Sequence, residues 1–369
     1  MTVHENVPVS GLPWVVVTGD RETVFRELGA HFAERIRDIR SRADAQWSAL
    51  MTRVEREVVG ERMRRIEAST RRLCPVESRE LDLLAEGAGV PAFDLWVYNL
   101  RGDLGRDGTG CSDVSVATSD ALVVGHNEDG AGDSADDVCL VTLVVEGDPS
   151  MTVVWYPGFL PANSFVATEA GTVWGLDHLP VVDPDANGAG RHFVARHAQR
   201  SRSGSEAIDR VRSVPCAGGF SFNIGDRGTG RAVMIENAAG VVVTTDASAD
   251  APCLWHTNHL RFVGEPGPGM QPAAGDESLV ESRTRGERLS GHLDERRAGR
   301  QGAVLDAESV FAALRSDGVL NRSTGLWTFT TTVADLANDR IIVQGRGEPT
   351  TLELGAFAAG RVLETEARA

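Results

Sequence analysis

Apolar positions recur every three to four residues from Asp20 to about Leu50 (Val24, Phe25, Leu28, Phe32, Ile36, Ile39) among Arg and Glu, which predicts helix. A second, very polar helical segment runs from about Arg53 to Leu73 and stops at Pro75. Glu77 to Gly87 reads as a shorter amphipathic helix ended by glycine, and Pro91 to Leu100 as another, so the first hundred residues read as helical. The pattern changes after Arg101. Arg101 to Gly110 (RGDLGRDGTG) is turn-rich and has no apolar period. Short β-branched runs follow at 114–117, 121–124, 139–145, 151–156 and 172–174, and later at 220–224, 231–235, 241–244 and 254–257. Helical stretches at 191–200 and 205–211 interrupt them. Beyond a Gly/Pro-rich loop at 265–275, helices at 278–293 and 306–314 precede final strands at 327–333, 340–344 and 350–354. Strand blocks separated by helix pairs predict an α+β layered fold with helices outside antiparallel sheets.

Composition narrows the function classes. The 369 residues carry 37 Lys+Arg against 53 Asp+Glu, a net charge of −16, which argues against nucleic acid as a partner. Every basic residue is arginine, so lysine Schiff-base and P-loop lysine chemistry are excluded. No apolar run approaches the roughly 20 residues that span a bilayer, and the N-terminus lacks a basic start followed by an apolar stretch. Five widely spaced cysteines (Cys74, Cys111, Cys139, Cys216, Cys253) with no C-x-x-C pair point to a reduced, cytoplasmic chain rather than a disulfide framework. No G-x-G-x-x-G, P-loop, H-E-x-x-H or EF-hand spacing occurs, so no cofactor and no metal site is expected. An odd, isolated cysteine is to be tested as a nucleophile.

Cys111 stands where the glycine-rich loop meets a predicted strand, in Gly110-Cys111-Ser112. A second strand runs into Gly125-His126-Asn127-Glu128-Asp129, and a third ends in His256-Thr257-Asn258-His259. Taken singly, a buried cysteine is more often a small hydrophobe than a nucleophile, and a polar H-N-E-D run is more often a turn. In this order, the three resemble the acyl-CoA:6-aminopenicillanate acyltransferase family of N-terminal-nucleophile (Ntn) hydrolases, which also takes in hydrolases of β-alanyl amines. The resemblance spans nearly the whole chain. Arg26 to His31 is similar to the family's opening helix, and Glu80 to Val90 to its E-L-x-x-x-A-E-G-A-G-V stretch. Tyr98 to Arg101 resembles the Asn-x-Arg that follows, and Tyr156 to Phe165 a Y-P-G-x-L-P-x-x-x-F segment.

That resemblance implies a four-layer αββα sandwich with additional N-terminal helices. It implies one domain over 1–369, autoprocessed into 1–110 and 111–369, with the N-terminal fragment retained as a partner of the catalytic one. Cleavage at Gly110-Cys111 would free an α-amine that titrates near about 7.7–8.0, low enough to serve as base for the thiol of its own residue. Glycine before the cysteine suits a distorted scissile backbone. Asp129 would orient the new amine or take part in processing, and Asn258 would serve the oxyanion. Asn127, Glu169, Asp177, His178 and His256 are the expected substrate-facing residues, with the acidic ones suited to a cationic or amine-bearing substrate.

Three departures from the family pattern leave the acyl group and the acceptor open. Thr324-Gly325 stands in place of a Ser-Arg pair, with Arg322 displaced. Thr168 to Gly171 replaces an Asn/Ser stretch, and Asp177 replaces an Asn. The leading reading is amide hydrolysis of a small N-acyl amine or N-acyl amino acid through a thioester. The second is acyl transfer from a CoA thioester or amide to an amine. The third is a catalytically silent binding protein, against which the retained Cys111, Asp129 and Asn258 speak. The sequence is silent on oligomeric state, so a homo-oligomer stays open.

Overall fold

A computed structural model describes residues 3–42, 46–105, 110–299, 305–323 and 325–362. The chain opens on strands β1 (Val3–Val9) and β2 (Leu12–Gly19), then helices α1 (Arg21–His31), α2 (Ala33–Ser41), α3 (Gln46–Val54), α4 (Glu57–Leu73), α5 (Pro75–Ala88) and α6 (Ala92–Asn99). Next come β3 (Cys111–Ala117), β4 (Leu122–Gly130), β5 (Cys139–Val145), β6 (Met151–Trp155), β7 (Val166–Thr168) and β8 (Thr172–His178). Helices α7 (Arg191–Gln199) and α8 (Gly204–Ser213) lead to β9 (Gly219–Asp226), β10 (Arg231–Ala238), β11 (Val241–Asp246) and β12 (Cys253–His256). The chain closes with α9 (Glu277–Gly299), α10 (Ala307–Leu314), β13 (Trp327–Asp335), β14 (Arg340–Gln344), β15 (Thr350–Glu353) and α11 (Leu354–Ala358).

Local chemistry sets the helix ends. Asp20 caps α1 by accepting from the Thr23 amide at 3.0 Å, and Asp306 caps α10 through Ser309 at 2.9 Å. Pro75 opens α5, and Gly89 closes it in the left-handed region at φ 63°.

Two sheets form the middle of the molecule. One has the order β1-β2-β5-β6-β7-β8-β9-β10-β11, the other β12-β3-β4-β13-β14-β15. Pairing is antiparallel except between β2 and β5. Alternation along each strand builds the four layers. Trp14, Leu140, Val154 and Val173 of the large sheet meet Leu122, Val124, Ala334 and Val343 of the small one in the inner core. Val15, Val17, Val141 and Leu143 face the other way, onto the Phe25, Leu28, Leu81 and Leu84 side of α1 and α5. On the small sheet, Val114, Val116, Val123 and Val333 turn outward beneath Leu289 and Leu293 of α9 and Val310 and Leu314 of α10. The expected αββα sandwich with additional N-terminal helices is therefore present.

The first hundred residues are not wholly helical. β1 and β2 form a hairpin around Ser10 and Gly11, both with positive φ, and attach to the edge of the large sheet. A turn of that kind matches the right-handed twist of paired strands, and the apolar run Leu12 to Val17, with its three consecutive valines, suits a strand buried on both faces. The expected long helix from Asp20 is divided at Phe32, which lies between α1 and α2. No described helix is long and apolar enough to cross a membrane.

Candidate active site

The site is built where β3 starts. β3 pairs with β12 on one side and with β4 on the other, with Cys111 opposite Glu128 and Asp113 opposite both His126 and His256. Because side chains alternate, Cys111, Asp113, His126 and Glu128 share the inner face, while Ser112, Asn127 and Asp129 share the outer one. The cysteine's thiol and its backbone nitrogen thus meet two different sets of partners.

On the nitrogen side, the Cys111 amide donates to Asn258 Oδ1 at 2.8 Å. Asn258 Nδ2 in turn donates to the His178 carbonyl at 3.0 Å. Its amide orientation is fixed by chemistry, since an amide N–H needs the oxygen and a carbonyl needs the NH₂. Arg285, on α9 and almost wholly buried, donates to Asn258 Oδ1 at 2.7 Å, to Ser112 Oγ at 2.8 Å and to the Cys111 carbonyl. Glu281 holds the same guanidinium at 2.8 Å. Asp129 lies beside Gly110: a Cβ on that glycine would stand 3.3 Å from Arg285 Nη2 and 3.6 Å from Asp129 Oδ2. Asn321 donates to Asp129 Oδ2 at 2.7 Å, and Asp129 Oδ1 is a buried acceptor with no hydrogen-bond partner among the described residues. Burial raises the Asp129 carboxyl to about 6 against the pull of Arg285.

On the thiol side, Cys111 Sγ lies 3.8 Å from Glu128 Oε2. Burial first, then Glu128, Asp177 and Asp129, pushes the thiol well above its usual range, so with residue 111 in peptide linkage it stays protonated. Tyr156 donates its hydroxyl to Glu128 Oε1 at 2.6 Å. A cavity of about 260 Å³ opens on Glu128 and Asp129 and is walled by Trp47, Tyr98, Tyr156 and Phe329.

From Glu128 a row of buried ionisable groups runs between the sheets. His126 Nε2 meets Glu128 at 3.0 Å and its Nδ1 meets Asp113 at 3.1 Å. Across the gap, His256 Nδ1 meets Asp177 at 3.2 Å and its Nε2 meets Glu236 at 2.9 Å. Gly175 lets the two halves close, because a Cβ there would stand 1.9 Å from Asp113 Oδ1. Asp113 Oδ2 and Asp177 Oδ1 are both buried and have no hydrogen-bond partner among the described residues, and burial followed by the nearby Asp177 raises Asp113 to about 7. Burial opposes protonation of His126, but Asp113 and Glu128 outweigh it and hold the ring charged. Burial opposes His256 too, and there Asp177 and Glu236 win, raising it to about 9.

A folded pKa above the ordinary imidazole value contributes stability that is complete below about 6.5 and is lost as pH rises through about 9. Urea unfolding is therefore expected to show stability falling between pH 7 and 9, with a slope of at most about 1.4 kcal/mol per pH unit per histidine. His256→Gln, which cannot titrate, should flatten that slope; an unchanged slope would show that the His256 pairing does not supply it.

The sequence-expected residues divide into two groups. Gly110, Cys111, Asp129 and Asn258 come together, although 147 positions separate Cys111 from Asn258. Asn127 lies on the outer face, donating to the Leu314 carbonyl and accepting from Thr331, where it anchors α10. Glu169 is exposed at the β7–β8 turn and lines a separate surface cavity with Arg227 and Asp339. Asp177 and His256 belong to the buried row, and His178 contacts Arg191. None of these five lines the cavity at Glu128. Thr324 lies outside the described residues. Arg322 lies over the Trp327 ring at 4.7 Å and donates to the Thr328 carbonyl at 3.0 Å.

Arg285, Glu128 and Tyr156 were not singled out from sequence. Arg285 could have been, because it falls in the Leu279, Ser282, Gly286, Leu289, Leu293 stripe of α9, a charge on an otherwise buried face. Two trios bring metal-binding atoms within 4.8 Å of one another, Cys111–His126–Glu128 and Asp113–His126–Asp177.

Comparison with known proteins adds the family. No curated protein sequence matches the chain. Among solved structures, it is similar to a mutant of conjugated bile acid hydrolase from Clostridium perfringens, at 11% identity over 69% of this chain and 97% of that one, with a TM-score of 0.41. It is similar also to penicillin V acylase from Agrobacterium tumefaciens, at 11% identity over 69% and 98%, with a TM-score of 0.37. A family model described as acyl-coenzyme A:6-aminopenicillanic acid acyl-transferase matches residues 116–315, a segment that begins just after Cys111 and contains Asp129, Asn258 and Arg285. The chain belongs to the acyl-coenzyme A:6-aminopenicillanic acid acyl-transferase family.

Proposed function

We propose that the chain is a self-processing cysteine amidohydrolase of the N-terminal-nucleophile type, acting on a small N-acyl amine or N-acyl amino acid. The observation that carries this reading is the double anchoring of residue 111. Its nitrogen rests on Asn258 beside Arg285, and its thiol lies against Glu128, which lines a cavity.

In the precursor, the Cys111 thiol attacks the Gly110 carbonyl, the peptide nitrogen leaves as an amine, and water hydrolyses the resulting thioester. Asp129, protonated up to about pH 6 and with Oδ2 beside Gly110, is placed to pass a proton to or from that nitrogen. The new α-amine keeps Asn258 Oδ1 as acceptor. The neighbouring Arg285 cation disfavours its ammonium form and so favours the neutral base. In turnover the amine takes the thiol proton, the thiolate attacks the substrate carbonyl, and the proton passes to the departing amine. Water then attacks the thioester and releases the acid.

The family description favours a second reading, acyl transfer, in which an amine replaces that water. The cavity speaks for water and for a neutral or cationic substrate. Four carboxylates line it (Glu128, Asp129, Asp133, Asp137) against Arg42 and Arg101, and Arg42 is already engaged by Asp137 at 2.7 Å and Asp38 at 2.7 Å. A polyanionic CoA donor meets repulsion there. The test is partitioning: load the enzyme with an amide substrate and add a competing amine. Acid should remain the main product at millimolar amine. Capture of most of the acyl group by the amine, with faster turnover, would assign the chain as a transferase.

A further inference from the structure

We propose that Cys111, His126 and Glu128 form a binding site for a thiophilic divalent cation of the Zn²⁺ class, and that its occupation blocks the nucleophile. Cys111 and Glu128 face each other across the β3–β4 ladder and His126 lies two residues before Glu128, so the ladder puts three ligand types on one face. The separations are 3.8 Å from Sγ to Glu128 Oε2 and 3.0 Å from His126 Nε2 to the same oxygen. Metal–sulfur bonds of about 2.3 Å and metal–nitrogen or metal–oxygen bonds of about 2.0–2.1 Å in a tetrahedron need edges of roughly 3.3–3.5 Å, so these two edges need shifts of a few tenths of an ångström; the third pair, Sγ and the His126 ring nitrogen, lies within 4.8 Å.

The outer partners are already in place. Asp113 holds His126 Nδ1 at 3.1 Å and so turns Nε2 toward the site. The Tyr156 hydroxyl occupies Glu128 Oε1 at 2.6 Å and leaves Oε2 for the ion. Carboxylate-backed histidine and hydrogen-bonded carboxylate are the supports that orient metal ligands elsewhere. The 260 Å³ cavity reaches Glu128, which gives an entry path and room for a water as fourth ligand. These ligands lie outside any metal-binding spacing in the sequence because two strands supply them. A thiolate among them selects Zn²⁺ over Mg²⁺ or Ca²⁺.

Binding exchanges protons for metal without redox change. The thiol and the His126 imidazolium each release one proton to solvent as Sγ and Nε2 bond to the cation. The thiolate electron pair is then committed to the metal and cannot attack a carbonyl. The inhibitory consequence rests on Cys111 being the nucleophile; the ligation does not.

Full-length protein, freed of metal and kept reduced, is titrated with Co²⁺ and followed by absorbance. One equivalent should give a thiolate-to-cobalt charge-transfer band with the intense visible bands of four-coordinate Co²⁺. Zn²⁺ should displace it and Mg²⁺ should not. Cys111→Ala should lose the band while keeping its circular dichroism. Tyr156→Phe, which only removes the outer hydrogen bond, should weaken Co²⁺ binding roughly 10- to 100-fold. No charge-transfer band in the wild type, or a band that survives Cys111→Ala and so belongs to the half-buried Cys253, overturns the proposal. Amide hydrolysis is assayed separately on metal-free protein, so an inactive protein that still shows the Cys111-dependent band would sink the catalytic reading and leave the metal site standing.

Discussion

Cys111→Ala is expected to lower amide hydrolysis by roughly 10⁴-fold or more, because alanine offers no atom to form the acyl-enzyme. The same change should leave the chain uncut. Burial of Cys111 at 4% exposure means that a methyl group replaces a thiol in a packed position, a loss of one atom that the fold tolerates. Activity and stability therefore separate in this variant. The other buried cysteines provide the contrast. Cys74, Cys139 and Cys216 share the burial-raised thiol but, among the described residues, touch no comparable set of polar partners, so their replacement should leave turnover in place.

The second large effect is expected at Asn258. Asn258→Ala removes the acceptor for the residue 111 nitrogen, one of Arg285's partners, and a donor to the His178 carbonyl. A loss of about 10²–10³-fold in kcat is expected, the range found when a single polar group is removed from a reacting centre. The geometry distinguishes two roles. Asn258 Oδ1 faces the nitrogen that becomes the base, whereas the family resemblance assigns its amide to the oxyanion. Asn258→Asp keeps the acceptor and loses the donor. Activity well above that of Asn258→Ala would mark Asn258 as the group that positions the base. Equal loss in both variants would return it to the oxyanion role, and a change in KM alone would place it in the substrate wall.

Much of this was legible in the sequence because strand alternation and motif order are local properties. The Gly110-Cys111, His126 to Asp129 and His256 to His259 segments each lie on or at the end of a strand, and adjacent strands β12, β3 and β4 bring all three together. The N-terminal hairpin was hidden by the helical segments that follow it, although Ser10-Gly11 ahead of the apolar run Leu12 to Val17 carried the signal. The buried row from Glu128 to Glu236 was not legible, because its members come from β4, β3, β8, β12 and β10 and meet only when the sheets close. For the same reason Asp177 and His256 read as candidates for substrate contact. Single polar residues in strands carry no mark of whether their face meets a cavity or the second sheet. Arg285 lay among other arginines and their acidic neighbours on α9, where only its place on the buried stripe sets it apart.

Cleavage before Cys111 is the step on which the chemistry depends, and denaturing mass spectrometry of the freshly purified protein measures it directly. Two fragments should be found, residues 1–110 and 111–369, the larger beginning with Cys111 and with a free α-amine, while Cys111→Ala gives one mass for all 369 residues. An intact wild-type chain with full amidase activity would contradict it, because without the free amine the Cys111 thiol has no base on its own residue.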